Sequence, residues 1–357
     1  MRKVLSIILS IAFIIAIIPV ADAAEYNGFE YQANSAGTYV ITGYNDFKTD
    51  YVNIPETING IKVTAIGKSA FQNKTTISTV KFPESITAIA SMAFYGCKNL
   101  NSVILSSSVK SIGSKAFSMC TGLTGINLQN VQTVGEHAFY GCSGITNLYC
   151  GNALKVIGAY AFQKCSDLTF IKQAPTLLYI GNYAFADCVS ITSLTLPNKL
   201  THIGNSAFKN CKSLNSLTFG SGILEIGAYA FENCSSLTAL TIPNNISTIG
   251  RYAFALRNST STDFSHNISL TCTKNSQGTK YAKMHNVSVY ITDLNKTYAY
   301  FGDINGNGKT DKNDAKSVLR IAASMDYGIT GEKLFICDIN CNGKIDTGDV
   351  SYILRNS

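Results

Sequence analysis

Two stretches near the C-terminus carry the residues whose types and spacing could do chemistry. The first is Asp303-Ile304-Asn305-Gly306-Asn307-Gly308-Lys309-Thr310-Asp311-Lys312-Asn313-Asp314. The second, 35 residues on, is Asp338-Ile339-Asn340-Cys341-Asn342-Gly343-Lys344-Ile345-Asp346-Thr347-Gly348-Asp349. Counting from the first Asp, each has oxygen side chains at positions 1, 3, 5, 9 and 12 and Gly at 6. A calcium loop needs this arrangement: hard oxygen ligands, a main-chain carbonyl at position 7 and a sharp turn at 6. The spacing therefore predicts one Ca2+ held by Asp303, Asn305, Asn307, the Lys309 carbonyl, Asp311 and Asp314. A second Ca2+ is predicted on Asp338, Asn340, Asn342, the Lys344 carbonyl, Asp346 and Asp349.

The elements that must position these loops are the helices after them. Ala315 to Ser324 has Val318, Leu319 and Ile321 apolar, and Val350 to Arg355 is a shorter run. No helix is predicted before the first loop, and position 12 is Asp rather than the Glu of ordinary EF-hands. This duplicated loop-then-helix unit resembles a type I dockerin over about residues 302–357. The resemblance implies docking to a cohesin module of a scaffoldin through side chains on the helix after each loop. The matching pairs are Leu319-Arg320 and Leu354-Arg355. Two cysteines depart from that pattern: Cys341 replaces a small Gly at loop position 4, and Cys337 sits just before the loop. Whether they pair is left open by a spacing that sets their Cα atoms near the limit for a disulfide.

The rest of the chain is organised by a repeat. An Ala-Phe pair recurs with its Phe at Phe71, Phe94, Phe117, Phe139, Phe162, Phe185, Phe208, Phe231 and Phe254. The spacing is 23 residues throughout, except for 22 between Phe117 and Phe139. One full unit runs from Ile180-Gly181 to the next Ile-Gly pair, Ile203-Gly204. Ile191, Leu194 and Leu196 put apolar groups on one side of a short strand, and Pro197 ends it for want of an N–H. Ile203, Ala207, Phe208 and Cys211 form the return side. One such coil cannot cover its own apolar face, so coils stack strand on strand. The pattern resembles the BspA-type leucine-rich repeats of bacterial surface adhesins over about residues 26–291. The fold class is thus an α/β solenoid: leucine-rich-repeat coils with a parallel sheet and end caps, plus a small α-helical calcium-loop domain.

Seven repeats carry Cys three residues after Phe: Cys97, Cys120, Cys142, Cys165, Cys188, Cys211 and Cys234. An exported chain could use these as disulfides. An odd number in one strict column suits a buried ladder of thiols giving weak S–H bonds to turn carbonyls. A column across the strands, Lys81, Ile104, Asn127, Tyr149, Lys172, Thr195, Thr218 and Thr241, points outward. A second set, Tyr160, Tyr183, Tyr229 and Tyr252, precedes Ala-Phe. Both sets suit a glycan or protein ligand. They also have a plain structural account, since Thr favours exposed strands and Tyr covers a core edge.

The chain divides accordingly. Residues 1–23 read as a signal peptide: basic Arg2 and Lys3, an apolar run from Val4 to Val20, and Ala21-Asp22-Ala23 for cleavage. Residues 24–65 are an N-terminal cap with strands at Tyr39–Thr42, Tyr51–Ile54 and Ile61–Thr64. Residues 66–254 are the repeats. Residues 255–291 are a C-terminal cap reading strand, helix, strand, and residues 292–301 a linker before the tail at 302–357. The chain's net charge is +7, with 29 basic and 22 acidic residues. The excess is spread along the coils, which excludes a nucleic-acid footprint. After signal cleavage no membrane span remains.

The expected function is a secreted, extracellular, non-catalytic binding protein associated with a cellulosome through cohesin. Its part in polysaccharide breakdown is through the company it keeps. A glycosidase site needs two facing carboxylates, and the coil carboxylates Glu84, Glu136, Asp167, Asp187, Glu225 and Glu232 share no column. The alternatives are a glycoside hydrolase acting on plant polysaccharide and a cell-surface adhesin.

Overall fold

The computed structural model describes residues 24–46, 49–172, 174–257, 264–265, 267–298, 301–305, 307, 310–323, 335–340 and 344–356. The proposed signal peptide lies outside them. Contacts divide the chain into two compact units. One is the chain up to Leu237 with Gly250–Phe264, and the other is Thr238–Ile249 with Ser265–Ser357.

In the first unit the chain winds as a parallel-sheet solenoid. Its long sheet lies where sequence reasoning placed the return side. The two-residue strands Ala88–Ile89, Ser111–Ile112, Thr133–Val134, Val156–Ile157, Tyr179–Ile180, His202–Ile203 and Glu225–Ile226 pair in parallel, coil after coil. A Gly follows six of these seven strands, with Ala90 after the first, and favours the continuity. A Cβ on Gly181 would lie 2.5 Å from the Ala159 nitrogen, so Gly lets the two backbones close this tightly there. The predicted outer strands do form, but as three separate short sheets. These are Tyr51–Asn53 with Thr79–Lys81 and Ser102–Ile104; Gly125–Leu128 with Asn147–Cys150 and Phe170–Lys172; and Ser193–Thr195 with Ser216–Thr218.

The Ala-Phe segment is a turn held from both sides. Phe162 donates its N–H to the Ala184 carbonyl of the next coil at 2.7 Å, and Lys164 donates to Ala186 at 2.9 Å. Two non-glycine residues flank Phe71, Phe117, Phe162, Phe185, Phe208 and Phe231 in left-handed backbone, such as Tyr160 at φ 58° and Lys164 at φ 63°, while Gly96 and Gly141 take the second place after Phe94 and Phe139. Such residues carry strain, and the coil-to-coil hydrogen bonds hold them there. The Phe rings stack in one column from Phe71 to Phe254, with centroids 4.7–5.7 Å apart. Each is buried, which stabilises by about 1.5–3 kcal/mol per ring.

The seven column cysteines are free, buried thiols. Each Sγ donates to the carbonyl of the Phe in the preceding coil, from Cys97 to Phe71 at 3.0 Å through Cys234 to Phe208 at 3.3 Å. The thiol ladder is therefore the correct reading of the column, and the disulfide alternative falls.

At the N-terminal end, Ala24–Tyr26, Phe29–Ala33 and Tyr39–Tyr44 form an antiparallel meander whose last strand pairs in parallel with Ile61–Ile66. The strand expected over Tyr39–Thr42 runs on through Gly43 and Tyr44, because Tyr44 packs its ring against Phe29 and Phe71. Asn59 and Gly60, at φ 50° and 79°, make the hairpin turn between Thr57–Ile58 and Ile61–Ile66.

In the second unit, Ala239–Thr241, Ser269–Cys272 and Ser288–Ile291 pair in parallel. The helix Gln277–His285 crosses between the last two, with Ser276 as N-cap and left-handed Asn286 as C-cap. Lys296–Tyr298, inside the stretch read as a linker, adds an antiparallel strand to Ser288–Ile291. The tail helices are Lys312–Ala322 and Thr347–Asn356. The second spans 10 residues, longer than the sequence suggests, because it starts at Thr347 inside the loop. Ala315, Val318, Cys337, Ile339 and Ile353 are the buried core of the tail.

Candidate functional site

The tail loops are built into the helices after them. Asp311 is the N-cap of Lys312–Ala322 and Asp314 its N3 residue, and the two form a reciprocal capping box. Asp314 is fully buried. Its Oδ1 accepts the N–H groups of Ile304 at 2.9 Å and Asn305 at 3.2 Å, and its Oδ2 accepts that of Asp311 at 2.9 Å. Asp349, 35 residues on, repeats this: Oδ1 accepts from Ile339 at 2.9 Å and Asn340 at 3.1 Å, Oδ2 from Asp346 at 2.9 Å. In the first loop, the Asn307 N–H also reaches Asp303 Oδ1 at 3.1 Å and Asn305 Oδ1 at 2.9 Å. These bonds fold each loop around its own oxygens.

The donors are all oxygen, the type a hard cation takes. Among the described residues, no three His, Cys, Asp or Glu side chains come together as a metal cluster. Each position-12 carboxylate accepts two main-chain N–H groups on Oδ1 and one on Oδ2, which leaves an Oδ2 lone pair for a cation. Lys309, Asn342 and Cys341 lie outside the described residues. Lys344 is exposed, and Asp303, Asp338, Asn340 and Asp346 are half-buried. Leu319 and Leu354, each beside an exposed Arg320 or Arg355, stand 46% and 50% exposed, high for leucines on helices with a packed inner face.

Sequence reasoning missed Lys283. It lies on the cap helix Gln277–His285, yet it is only 4% exposed. Its Nζ donates to the carbonyls of Phe335 at 2.7 Å and Asp338 at 3.0 Å and lies 4.0 Å from the centre of the Phe335 ring. Carbonyl dipoles and a ring face are what a buried ammonium needs in place of water. Nothing in the local sequence separates this lysine from the neighbouring Lys280.

The outer strand column is exposed at every described position from Lys81 to Thr218. Its registers bring Asn127, Tyr149 and Lys172 into one row. Phe170, beside Lys172, stands 49% exposed, and its ring centre lies 6.0 Å from that of Tyr149. The signal for Phe170 was present: other coils place Thr79, Ser102, Gly125, Asn147, Ser193 or Ser216 there. On the return side, His137, Tyr160 and Tyr183 stack with centroids 4.5 and 4.9 Å apart. His137 is thus part of a ring ladder rather than an isolated edge residue, and burial pushes its pKa down. The coil carboxylates are held by neighbours. Glu84 takes bonds from Ser107 and Ser108, Asp187 from Asn210 and Gln163, and Glu232 pairs with Lys209 at 2.7 Å. Among the described residues, no helix is long and apolar enough to cross a membrane.

The model of the BspA type leucine rich repeat region matches residues 43–169 and 178–295, in six copies. No curated protein sequence matches the chain. Among solved structures, a leucine-rich-repeat protein of T. pallidum is 23% identical over 60% of this chain and 91% of its own, with a TM-score of 0.46. A leucine-rich-repeat protein from Eubacterium ventriosum is 25% identical over 52% of this chain and 51% of its own, with a TM-score of 0.45. A leucine rich cell surface protein from Faecalibacterium prausnitzii is 21% identical over 72% of this chain and 90% of its own, with a TM-score of 0.32.

Proposed function

The chain belongs to the BspA-type leucine-rich-repeat family, and from that premise we propose that it is a secreted, non-catalytic binding protein. Its tail takes up two calcium ions and docks to a cohesin module, and the outer strand face of its coils holds a protein or glycan ligand. The observation that carries the tail reading is the equivalence of Asp314 and Asp349. Each is buried, sits at position 12 of an oxygen-rich loop and receives the same three main-chain N–H groups.

Calcium would supply positive charge to two loops that otherwise hold six aspartates. Asp303, Asn305, Asn307, Asp311 and Asp314 would hold one ion, and Asp338, Asn340, Asn342, Asp346 and Asp349 the other, with the main-chain carbonyls of Lys309 and Lys344. The chain's own contribution is to lock each loop to its helix. That fixes Leu319-Arg320 and Leu354-Arg355 on the outer face of a shared core. Leu supplies apolar burial to a partner, and Arg a charged rim or a bidentate hydrogen bond.

Catalysis is set aside because the coil carboxylates already serve neighbouring side chains. Release of reducing sugar from plant polysaccharide by the purified chain would restore the hydrolase reading. Display on a cell through cohesin, as an adhesin, is the second reading, favoured by the exposed Tyr149 and Phe170. The test of the docking claim is binding of the full chain to an immobilised panel of cohesins, with calcium and with chelator. Calcium-dependent capture supports it, and no capture by any cohesin overturns it.

A further inference from the structure

We propose that the outer strand face contains a binding site for a uronate-bearing glycan, centred on Tyr149 and Lys172. This rests on the reading that the outer face of the coils binds a ligand. A cleft of about 450 Å³ opens there, lined by Asn127, Gln129, Asn130, Tyr149, Asn152 and Lys172 with the backbone of Gly151. That volume lies within the roughly 300–1,000 Å³ of small-ligand sites.

The cleft lies at two coils that lack a proline after the outer strand. Pro83, Pro197 and Pro243 end that strand in three coils, Ser106, Ala174 and Gly220 stand there in three others, and Gln129 and Gly151 in these two. The single 22-residue interval also falls here, between Phe117 and Phe139. A Cβ on Gly151 would lie 1.8 Å from the Gln129 carbonyl oxygen, so the two turns close on each other only with Gly. The closure gathers the side chains of Gln129, Asn130 and Asn152 beside the strand row of Asn127, Tyr149 and Lys172.

The chemistry of the lining selects the ligand. Asn127 Oδ1 already accepts the Gln129 N–H at 3.1 Å, which leaves its amide N–H groups for a guest. With the other amides it offers paired donors and acceptors, the complement of vicinal hydroxyls. Tyr149, 42% exposed, presents a ring to the C–H face of a pyranose, with Phe170 beside it. The lining contains one cation, Lys172, and no Asp or Glu. One positive charge with no acid beside it favours a ligand carrying a carboxylate. A peptide fits less well. The strand that carries Tyr149, Asn147–Cys150, is paired on both sides by Gly125–Leu128 and Phe170–Lys172, so its main chain is not offered for a peptide to extend.

The test is calorimetric titration of the full chain with trigalacturonate, with maltotriose as the neutral trisaccharide and with a hepta-glutamate peptide. The acidic trisaccharide should bind at least about tenfold more tightly than the neutral one, and more weakly as salt rises. Lys172→Gln should bring the two sugars to within about twofold, while Tyr149→Ala should abolish binding of both at an unchanged melting temperature. Equal affinity for the two sugars, no binding of trigalacturonate, an unaltered preference in Lys172→Gln, or binding of the peptide alone overturns the inference. Failure of the wider reading is distinguished with glycan and protein arrays probed with the full chain. A ligand lost in Tyr149→Ala but not competed by trigalacturonate contradicts only the uronate class. A ligand indifferent to substitutions across the outer column contradicts the outer-face reading as well.

Discussion

The ammonium nitrogen of Lys283, on the cap helix, lies 3.0 Å from the main-chain carbonyl oxygen of Asp338, the first residue of the second tail loop. The same nitrogen holds the Phe335 carbonyl at 2.7 Å. Lys283→Met keeps the apolar stem but removes the donor. Each carbonyl left unpaired should cost about 1–3 kcal/mol. Thermal unfolding of the variant should show the cap and tail weakened together, and an unchanged transition would deny the contact any structural part.

The same tie predicts how chelator acts. From the sequence, a linker separates cap from tail, and removal of calcium should loosen residues 302–357 alone. With Lys283 joining the two, Gln277–His285 should lose hydrogen-exchange protection along with the tail helices. The coils from Ala88 to Ile226 should keep theirs. Full protection of the cap helix in chelator would show that its order is independent of the loops.

The thiol ladder has a pH consequence. Burial pushes the thiol of Cys142 in the ladder, and that of Cys150 on the outer strand, from the ordinary 9.0 up to about 12. The folded state therefore holds protons that the unfolded chain gives up, and stability should be level below pH 9 and fall between about pH 9 and 12. Cys188→Ala should cost about 1–3 kcal/mol through a small cavity and a lost bond to the Phe162 carbonyl, and Cys188→Asp more. Rapid labelling of Cys188 in the native protein at pH 8 would contradict the ladder.

Glu232 is 1% exposed and faces Lys209 Nζ at 2.7 Å. Lys209→Met strands a buried carboxylate and should cost about 3–5 kcal/mol, whereas adding Glu232→Gln should recover much of that loss. A double variant as unstable as the single one would mean that Lys209 matters for packing and not for charge.

Much of this was legible in the sequence because the repeat states it many times over. A 23-residue period with Phe and Cys in fixed places leaves only one way to stack. The side bearing the continuous sheet was misjudged because apolar alternation marks Leu194 and Leu196, while the closer backbone contact is made at Gly181 and its equivalents. The loops could be found by their oxygen spacing, and their helices by the apolar residues after position 12. Lys283 could not, since its partners are main-chain carbonyls 52 and 55 residues away and carry no side-chain signature. The row of Asn127, Tyr149 and Lys172 was visible as a column. The cleft beside it depends on Gly151 meeting Gln129, a contact that pattern alone does not disclose.

Two-face docking separates the tail's two halves. Leu319→Asp with Arg320→Ala should leave cohesin binding through Leu354-Arg355, and changing all four should abolish it while calcium uptake persists. Loss of all binding in the first variant would leave Leu319-Arg320 as the only working surface.

The central claim is that the twin loops are calcium sites, and counting ions tests it most directly. Calorimetric titration of the chelator-treated full chain with Ca2+ should give two ions per chain. Asp303→Ala and Asp338→Ala should each give one, and the double variant none. Failure of the native chain to take up calcium, or two ions still bound by the double variant, would contradict the account.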